Sequence, residues 1–170
     1  MRKRRSPLLA VDAVILSPDY SRILLIRRLN DPFKNYYALP GGFVEWGETT
    51  EEACLREALE ETSLNVEILD LVGVFSDPKR DPRGHVVSVA YLCRAKSYNA
   101  KASSDAKEVA WIEIHKILKG DVKLAFDHLE IIREAVKKLE EIMGVRRDDK
   151  ESSNSSTNSD KSASSEEEKG

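Results

Sequence analysis

Residues 41–64 read GGFVEWGETTEEACLREALEETSL, and the spacing of their glutamates constrains the fold more than any other feature of the chain. The pattern predicts a helix over 50–62, opened by a capping box in which Thr49 is followed three residues later by Glu52. Cys54, Leu55, Ala58 and Leu59 give that helix an apolar side. Glu57, Glu60 and Glu61 stand three and four residues apart, so on a helix they share a narrow stripe beside it. Such a helix must dock one side on a core while holding its carboxylates toward a cleft. Carboxylates packed this way repel one another unless a cation sits among them. Clusters of oxygen ligands suit hard divalent ions such as Mg2+, with Mn2+ as an alternative. The natural cargo of such ions is a phosphate or diphosphate.

The rest of the chain supplies the core for that helix to dock on. Segments 8–17 (LLAVDAVILS) and 22–28 (RILLIRR) read as strands joined by turn chemistry in Ser17–Ser21. Residues 30–40, with Pro32 and Pro40, read as a loop leading into Gly41-Gly42. Segments 66–76 and 85–94 read as an antiparallel, hairpin-like pair, and the apolar run VVSVAYLC suits a strand covered on both faces. Asp81-Pro82-Arg83-Gly84 between them fits a type I turn. A further strand is expected over 108–114. A closing amphipathic helix is expected over 123–142, carrying Leu129, Ile132, Val136, Leu139 and Met143 at helical spacing. The interleaved order, with its hairpin-like antiparallel region, gives an α/β (α+β) class.

From Val145 to Gly170 the chain holds eight serines, seven acids and five bases, with almost nothing apolar. The expectation is one folded domain over 1–144 and a disordered Ser/Glu-rich tail over 145–170. The net charge is −3, of which the tail carries −2. A body at −1 offers no electrostatic footprint for general nucleic-acid binding. No segment approaches the ~18 apolar residues of a membrane span. Asp12 breaks the one run behind the basic residues Arg2–Arg5 that superficially resembles a signal peptide. Cys54 and Cys93 have no metal-type spacing and read as small core residues, in keeping with a reducing, cytoplasmic setting.

A run of glutamates on a helix is ordinarily a solvated face. Here the acids come with two glycines, a cap and an arginine at fixed offsets. Gly42, five residues, Glu48, seven residues, then Arg56-Glu57-Ala58-Leu59-Glu60-Glu61-Thr62-Ser63-Leu64 resembles the Nudix box, G-x5-E-x7-R-E-U-x-E-E-x-G-U with U aliphatic. Ser63 stands where the pattern has glycine, which normally eases the exit from the helix. The resemblance implies the Nudix fold, a mixed central sheet sandwiched between helices, over roughly residues 7–143, and a metal-dependent diphosphate hydrolase. It implies Glu57, Glu60, Glu61 and the Gly41 carbonyl as metal ligands, with Arg56 orienting Glu60 and Glu48 supporting the loop. Gly41 and Gly42 would serve either close backbone approach or a positive φ.

The loop FSDPKRDPRGH (75–85), with PGGFVEWGE before it and LAFDH after it, is similar to single-domain ADP-ribose pyrophosphatases. That similarity implies ADP-ribose as substrate and AMP with ribose 5-phosphate as products. Arg80 and Arg83 are candidate diphosphate or ribose ligands, since guanidinium suits bidentate anion contacts; a tight exposed turn would need the same residues. Trp46 and Phe75 are candidates for an adenine slot, as are Tyr36, Tyr37 and Phe126, and His85 begins a strand beside the arginine loop. Glu108 precedes the last strand, where related enzymes place an extra carboxylate as metal ligand or base. Homodimerisation is common among related enzymes. Two other readings are hydrolysis of modified nucleoside triphosphates and an ADP-ribose-sensing regulatory domain. The short tail leaves no room for the DNA-binding domain that the last would use.

Overall fold

The computed structural model describes residues 4–103 and 106–152, and the chain divides into two compact units, Met1–Lys138 and Leu139–Gly170. The first unit holds a seven-stranded mixed sheet. Its centre is β1 (Leu8–Leu16), paired in parallel along its whole length with β6 (Val86–Ala95). β6 in turn pairs antiparallel with β5 (Val66–Phe75), the expected hairpin-like region. On the other side of β1 lies β2 (Arg22–Arg28), which pairs antiparallel with β7 (Ala106–Glu113).

The way β1 and β2 meet creates the cleft. Their strand register joins them only at Leu16↔Ile23. Beyond that point they diverge, and the gap is bridged by residues 37–43. β3 (Tyr37–Ala38) pairs with β2, and β4 (Gly41–Phe43) pairs with β1 through Asp12↔Gly41, Val11↔Gly42 and Ala10↔Phe43. Neither strand is expected from the sequence, in which residues 30–40 read as loop. Segments of two and three residues carry no periodicity to detect.

α1 (Thr50–Thr62) is capped as expected, with Thr49 Oγ1 accepting from the Glu52 N–H at 3.1 Å. It docks through Ala53, Cys54, Ala58 and Thr62, all fully buried, onto a core that includes Val11, Ala13 and Ile15 of β1 and Leu24 of β2. Leu55 and Leu59, expected on that face, are 41% and 48% exposed. One position at 100° per residue is enough to turn them off the core side, and the small side chains at 53, 54 and 58 let the helix lie close to the sheet. The helix ends where expected. Ser63, in place of glycine, takes the left-handed conformation itself (φ 61°, ψ 17°), and its N–H reaches the Leu59 carbonyl.

The two cysteines are buried neighbours, Sγ to Sγ 3.7 Å, as small core residues would be. A short helix not expected from the sequence, α2 (Ile114–Lys119), follows β7. The closing helix α3 begins at His128, not 123, because Lys123–Ala125 lie alongside Tyr37 and Phe126 adopts a positive φ of 51°. Ile131, Ile132 and Ala135 are buried, while Met143, expected on the apolar stripe, is 45% exposed. α3 runs to Ser152, so residues 145–152 of the expected tail are helical; the remainder, 153–170, lies outside the described residues. The stretch VRRDDKES contains no proline or glycine, so propensity does not halt the helix there. Among the described residues no helix is long and apolar enough to cross a membrane.

Candidate functional site

A cavity of about 240 Å³ opens where β1 and β2 diverge. Asp12 of β1, Arg28 of β2, the glycine strand β4, Glu61 of α1, the loop residues Arg80, Asp81 and Arg83, and Phe126 and His128 all line it. Segments remote in sequence thus meet at one place, and its walls carry both signs of charge.

The acidic wall is built on α1. Glu61 accepts a hydrogen bond from the Gly41 N–H at 3.1 Å. Burial pushes its carboxyl up to about 8, reinforced by the nearby charges of Glu57, Asp12 and Glu60 and opposed by the Gly41 bond. Glu57 is also raised, first by burial, although Arg56 pulls the other way. These shifts express partial desolvation together with the repulsion that the spacing predicts, and of the two carboxyls only Glu57 has an arginine partner.

Both glycines are explained by close approach, and neither has a positive φ. A Cβ on Gly41 would meet the Val11 carbonyl and lie 2.7 Å from Asp12 Oδ1. A Cβ on Gly42 would overlap the Glu57 carboxylate. The floor of the cleft is therefore bare backbone pressed against acidic side chains.

Arg56 gathers the loop and the helix. Its Nε and Nη2 donate to the two oxygens of Glu48 at 2.7 and 3.0 Å, Nη1 to Glu57 at 2.9 Å and to Glu60 at 3.3 Å, and Nη2 also to the Phe43 carbonyl at 3.0 Å. The expected Arg56–Glu60 contact is present, but it is the longest of these. Glu48, which also accepts from the Glu45 N–H, is held at about 2 chiefly by the Arg56 hydrogen bonds. Among the described residues no three His, Cys, Asp or Glu side chains are gathered at metal-binding spacing. Arg56 holds Glu57 and Glu60 from the outside while Glu61 leans on Gly41.

The opposite wall centres on buried ion pairs. Arg80, whose side chain is 6% exposed, forks onto Asp127 at 2.9 and 2.7 Å and lies 3.7 Å from Asp12. Asp12 also accepts from Ser88 Oγ. Buried His128 accepts the Leu39 N–H at Nδ1, 3.0 Å away, and places Nε2 3.5 Å from Asp12; burial lowers its pKa. Asp81 and Arg83 form the expected turn, with the Gly84 N–H on the Asp81 carbonyl at 3.3 Å. The Asp81 carboxylate accepts from the backbone N–H and the guanidinium of Arg83.

Six sequence candidates for substrate contact or an extra carboxylate, Tyr36, Tyr37, Trp46, Phe75, His85 and Glu108, do not line this cavity. His85 Nε2 is 3.2 Å from the Ser76 carbonyl, tying together the two ends of the loop, and it lines a neighbouring groove of about 760 Å³. Trp46 is fully exposed, and neither Trp46 nor Phe75 lines either cavity. Glu108 accepts from the Tyr37 hydroxyl at 2.6 Å and sits opposite Arg27 in the β2–β7 register, outside the cleft lining.

Two cleft residues were missed, Asp12 and Arg28. A lone carboxylate within the apolar strand LLAVDAVIL was the available signal for Asp12. For Arg28 the signal was period-2 alternation, which puts it on the side of Leu24 and Ile26 at the strand's end.

The NUDIX domain family model matches residues 6–135. An ADP-ribose pyrophosphatase of Methanocaldococcus jannaschii is 48% identical over 128 residues, covering 75% of this chain and 72% of that protein. An ADPR-responsive transcriptional repressor of Acinetobacter baylyi is 39% identical over 140 residues, covering 79% of this chain and 55% of the repressor. Among solved structures, the NUDIX domain of Shewanella oneidensis NrtR complexed with ADP ribose aligns with a TM-score of 0.70 at 30% identity, covering 80% of this chain and 90% of that one.

Proposed function

We propose, from the premise that this chain belongs to the Nudix hydrolase family, that its cleft hydrolyses ADP-ribose to AMP and ribose 5-phosphate with Mg2+ bound. The observation that carries the reading is the pair of half-buried carboxyls, Glu57 and Glu61, packed against a glycine floor beside a cleft whose other side presents guanidinium groups.

The residues present fit a hard divalent cation. The bare backbone at Gly41 and Gly42 leaves the acids accessible, and a cation would relieve the repulsion that raises Glu57 and Glu61. Glu57, Glu60, Glu61 and the Gly41 carbonyl would hold it. When bound, Mg2+ neutralises diphosphate oxygens and makes a coordinated water more acidic. The chain's own residues do the remainder. Arg56 orients Glu57 and Glu60 from behind and fixes the box loop through Glu48. Arg80, locked onto Asp127, holds the loop that presents Arg83. In the overall reaction water supplies an oxygen to one phosphorus, and the bridging oxygen leaves with the other.

Glu61→Gln is the direct test. It removes the buried ligand while easing like-charge repulsion, so turnover of ADP-ribose should fall at least ~100-fold with no loss of melting temperature in chelator. Magnesium uptake measured by calorimetry should fall in parallel. An active Glu61→Gln enzyme would count heavily against this site. Identifying products separates the readings: AMP indicates the proposed reaction, and pyrophosphate from a modified nucleoside triphosphate the alternative. ADP-ribose binding without turnover would favour the sensing role borne by the Acinetobacter repressor.

A further inference from the structure

Arg28 is the one cleft-lining arginine without an acidic partner among the described residues. Arg80 is forked onto Asp127 and Arg83 onto Asp81, whereas Arg28 makes no ion pair. Its only side-chain hydrogen bond runs from Nε to the Pro32 carbonyl at 2.8 Å. That bond fixes the guanidinium plane and leaves both terminal nitrogens free to donate.

The surroundings hold this cation in place without pairing it. The guanidinium carbon lies 4.9 Å from the centroid of the Phe126 ring, and that of Arg83 lies 5.5 Å from the same ring. One aromatic face-and-edge system therefore supports two like charges. Phe126 itself has a left-handed backbone, φ 51°, a strained state for a bulky residue that persists only where packing imposes it. It is fixed by edge contact with Phe33 at 4.9 Å and by a tilted contact with His128 at 5.3 Å. Burial and then the Arg83 charge lower the pKa of Arg28, opposed by the more distant carboxylates of Asp81 and Glu61, neither of which pairs with it. Two neighbouring guanidiniums, one of them without an ion pair among the described residues, suit an anion between them.

We infer that Arg28 anchors substrate by donating from its terminal nitrogens to a non-bridging phosphate oxygen, with Arg83 across the Phe126 ring completing the anion site. The inference rests on the proposed action on a nucleoside diphosphate derivative, and it deepens that reading by naming a residue that recognises the charged group.

The test measures binding of ADP and adenosine by competition or calorimetry in Mg2+, together with ADP-ribose kinetics, for the wild type and for Arg28→Ala, Arg28→Met and Arg28→Lys. Met preserves the stem against Phe126 without the charge, and Lys keeps the charge, so retained melting temperatures in these two guard against a folding artefact. The expected result is a rise of about tenfold or more in the ADP dissociation constant and in KM for Ala and Met. Lys should be affected less, kcat should stay within about threefold, and adenosine affinity should be unchanged. Equal losses for adenosine and ADP would assign Arg28 to the ribose or base and overturn the inference, as would unchanged ADP binding. ADP binding that depends on Arg28 in a protein that fails to turn over ADP-ribose would sink the proposed reaction and leave the anion site standing.

Discussion

Replacing Arg80 by alanine tests how the loop over 76–85 is held. The Arg80 side chain is 6% exposed, and those of its partners Asp127 and Asp12 are 17% and 11% exposed. Nε and Nη2 both donate to Asp127, at 2.9 and 2.7 Å, so Arg80 has chiefly Nη1 to offer a ligand. It is better described as a strut shared by two largely buried carboxylates than as the diphosphate ligand expected from the sequence. Alanine would strand both charges. Removing one partner of a buried pair costs about 3–5 kcal/mol, most of it the penalty on the charge left behind. At about 2–4 °C per kcal/mol for a chain of this size, the variant should melt roughly 6–20 °C lower. Urea unfolding at pH 7, followed by far-ultraviolet circular dichroism, gives the number directly. Arg80→Ala combined with Asp127→Ala should cost at least about 1 kcal/mol less than the sum of the singles, because each removes the other's reason to be there. A single-variant cost below about 1 kcal/mol would place this contact among ordinary surface ion pairs and refute the strut.

Two further outcomes follow from the backbone and the buried ring. Ser63→Gly should stabilise the protein by about 0.5–1 kcal/mol, since glycine avoids the left-handed penalty of a Cβ and gives back only part of that gain through a looser unfolded chain. A lower urea midpoint for this variant would show that the serine side chain contributes more than its conformation costs. For His128 the sign runs through its lowered folded-state pKa: above about pH 6.5 neither state binds the proton, and below it the unfolded chain does so first. Stability should therefore decline as pH falls below about 6.5, in the face of Asp12 and Asp127, which favour the charged ring, and Arg80 and Arg28, which oppose it. His128→Asn retains an acceptor for the Leu39 N–H and should show a shallower decline between pH 6.5 and 5; parallel curves would exclude His128 as the source.

The parts legible in the sequence are those in which local spacing and tertiary demand agree. The Thr49 cap, the glutamate stripe and the five longer strands are each encoded within a few residues, and the structure puts them where the spacing does. Where the answer depends on a partner far along the chain, spacing is silent. β3 and β4 exist only because β1 and β2 diverge and leave edges to be paired. Leu55 and Leu59 look like core residues, but the sheet meets the helix along Ala53, Cys54 and Ala58, and no local pattern says which of two adjacent stripes will be used. Arg80 carries a suitable group for a phosphate, yet the acids it contacts come from the turn before α3 and from β1, 47 and 68 positions away. Glu108 illustrates the reverse case: its position resembles that of an extra catalytic carboxylate, and the β2–β7 register spends it on Tyr37 and Arg27.

The glycine pair shows why the box is a packing solution as much as a chemical one. α1 can bring Glu57 and Glu61 onto β4 only if its inner side is small and if β4 has no side chains of its own, and both conditions hold. Gly41 is excluded from carrying a Cβ by the Val11 carbonyl and Asp12, and Gly42 by the carboxylate of Glu57. The close approach is what desolvates the acids and raises them, so the same contacts that build the helix–sheet interface create an electrostatic cost that the fold alone does not relieve. Arg56 compensates from the outer edge only, reaching Glu57 and Glu60 but not Glu61. A chain selected for stability alone would replace Glu61 with an apolar residue of similar size, as buried charges generally permit. Keeping it there, beside a bare backbone floor and opposite two guanidiniums, makes sense if a cation and a diphosphate together complete the charge balance that the polypeptide leaves open.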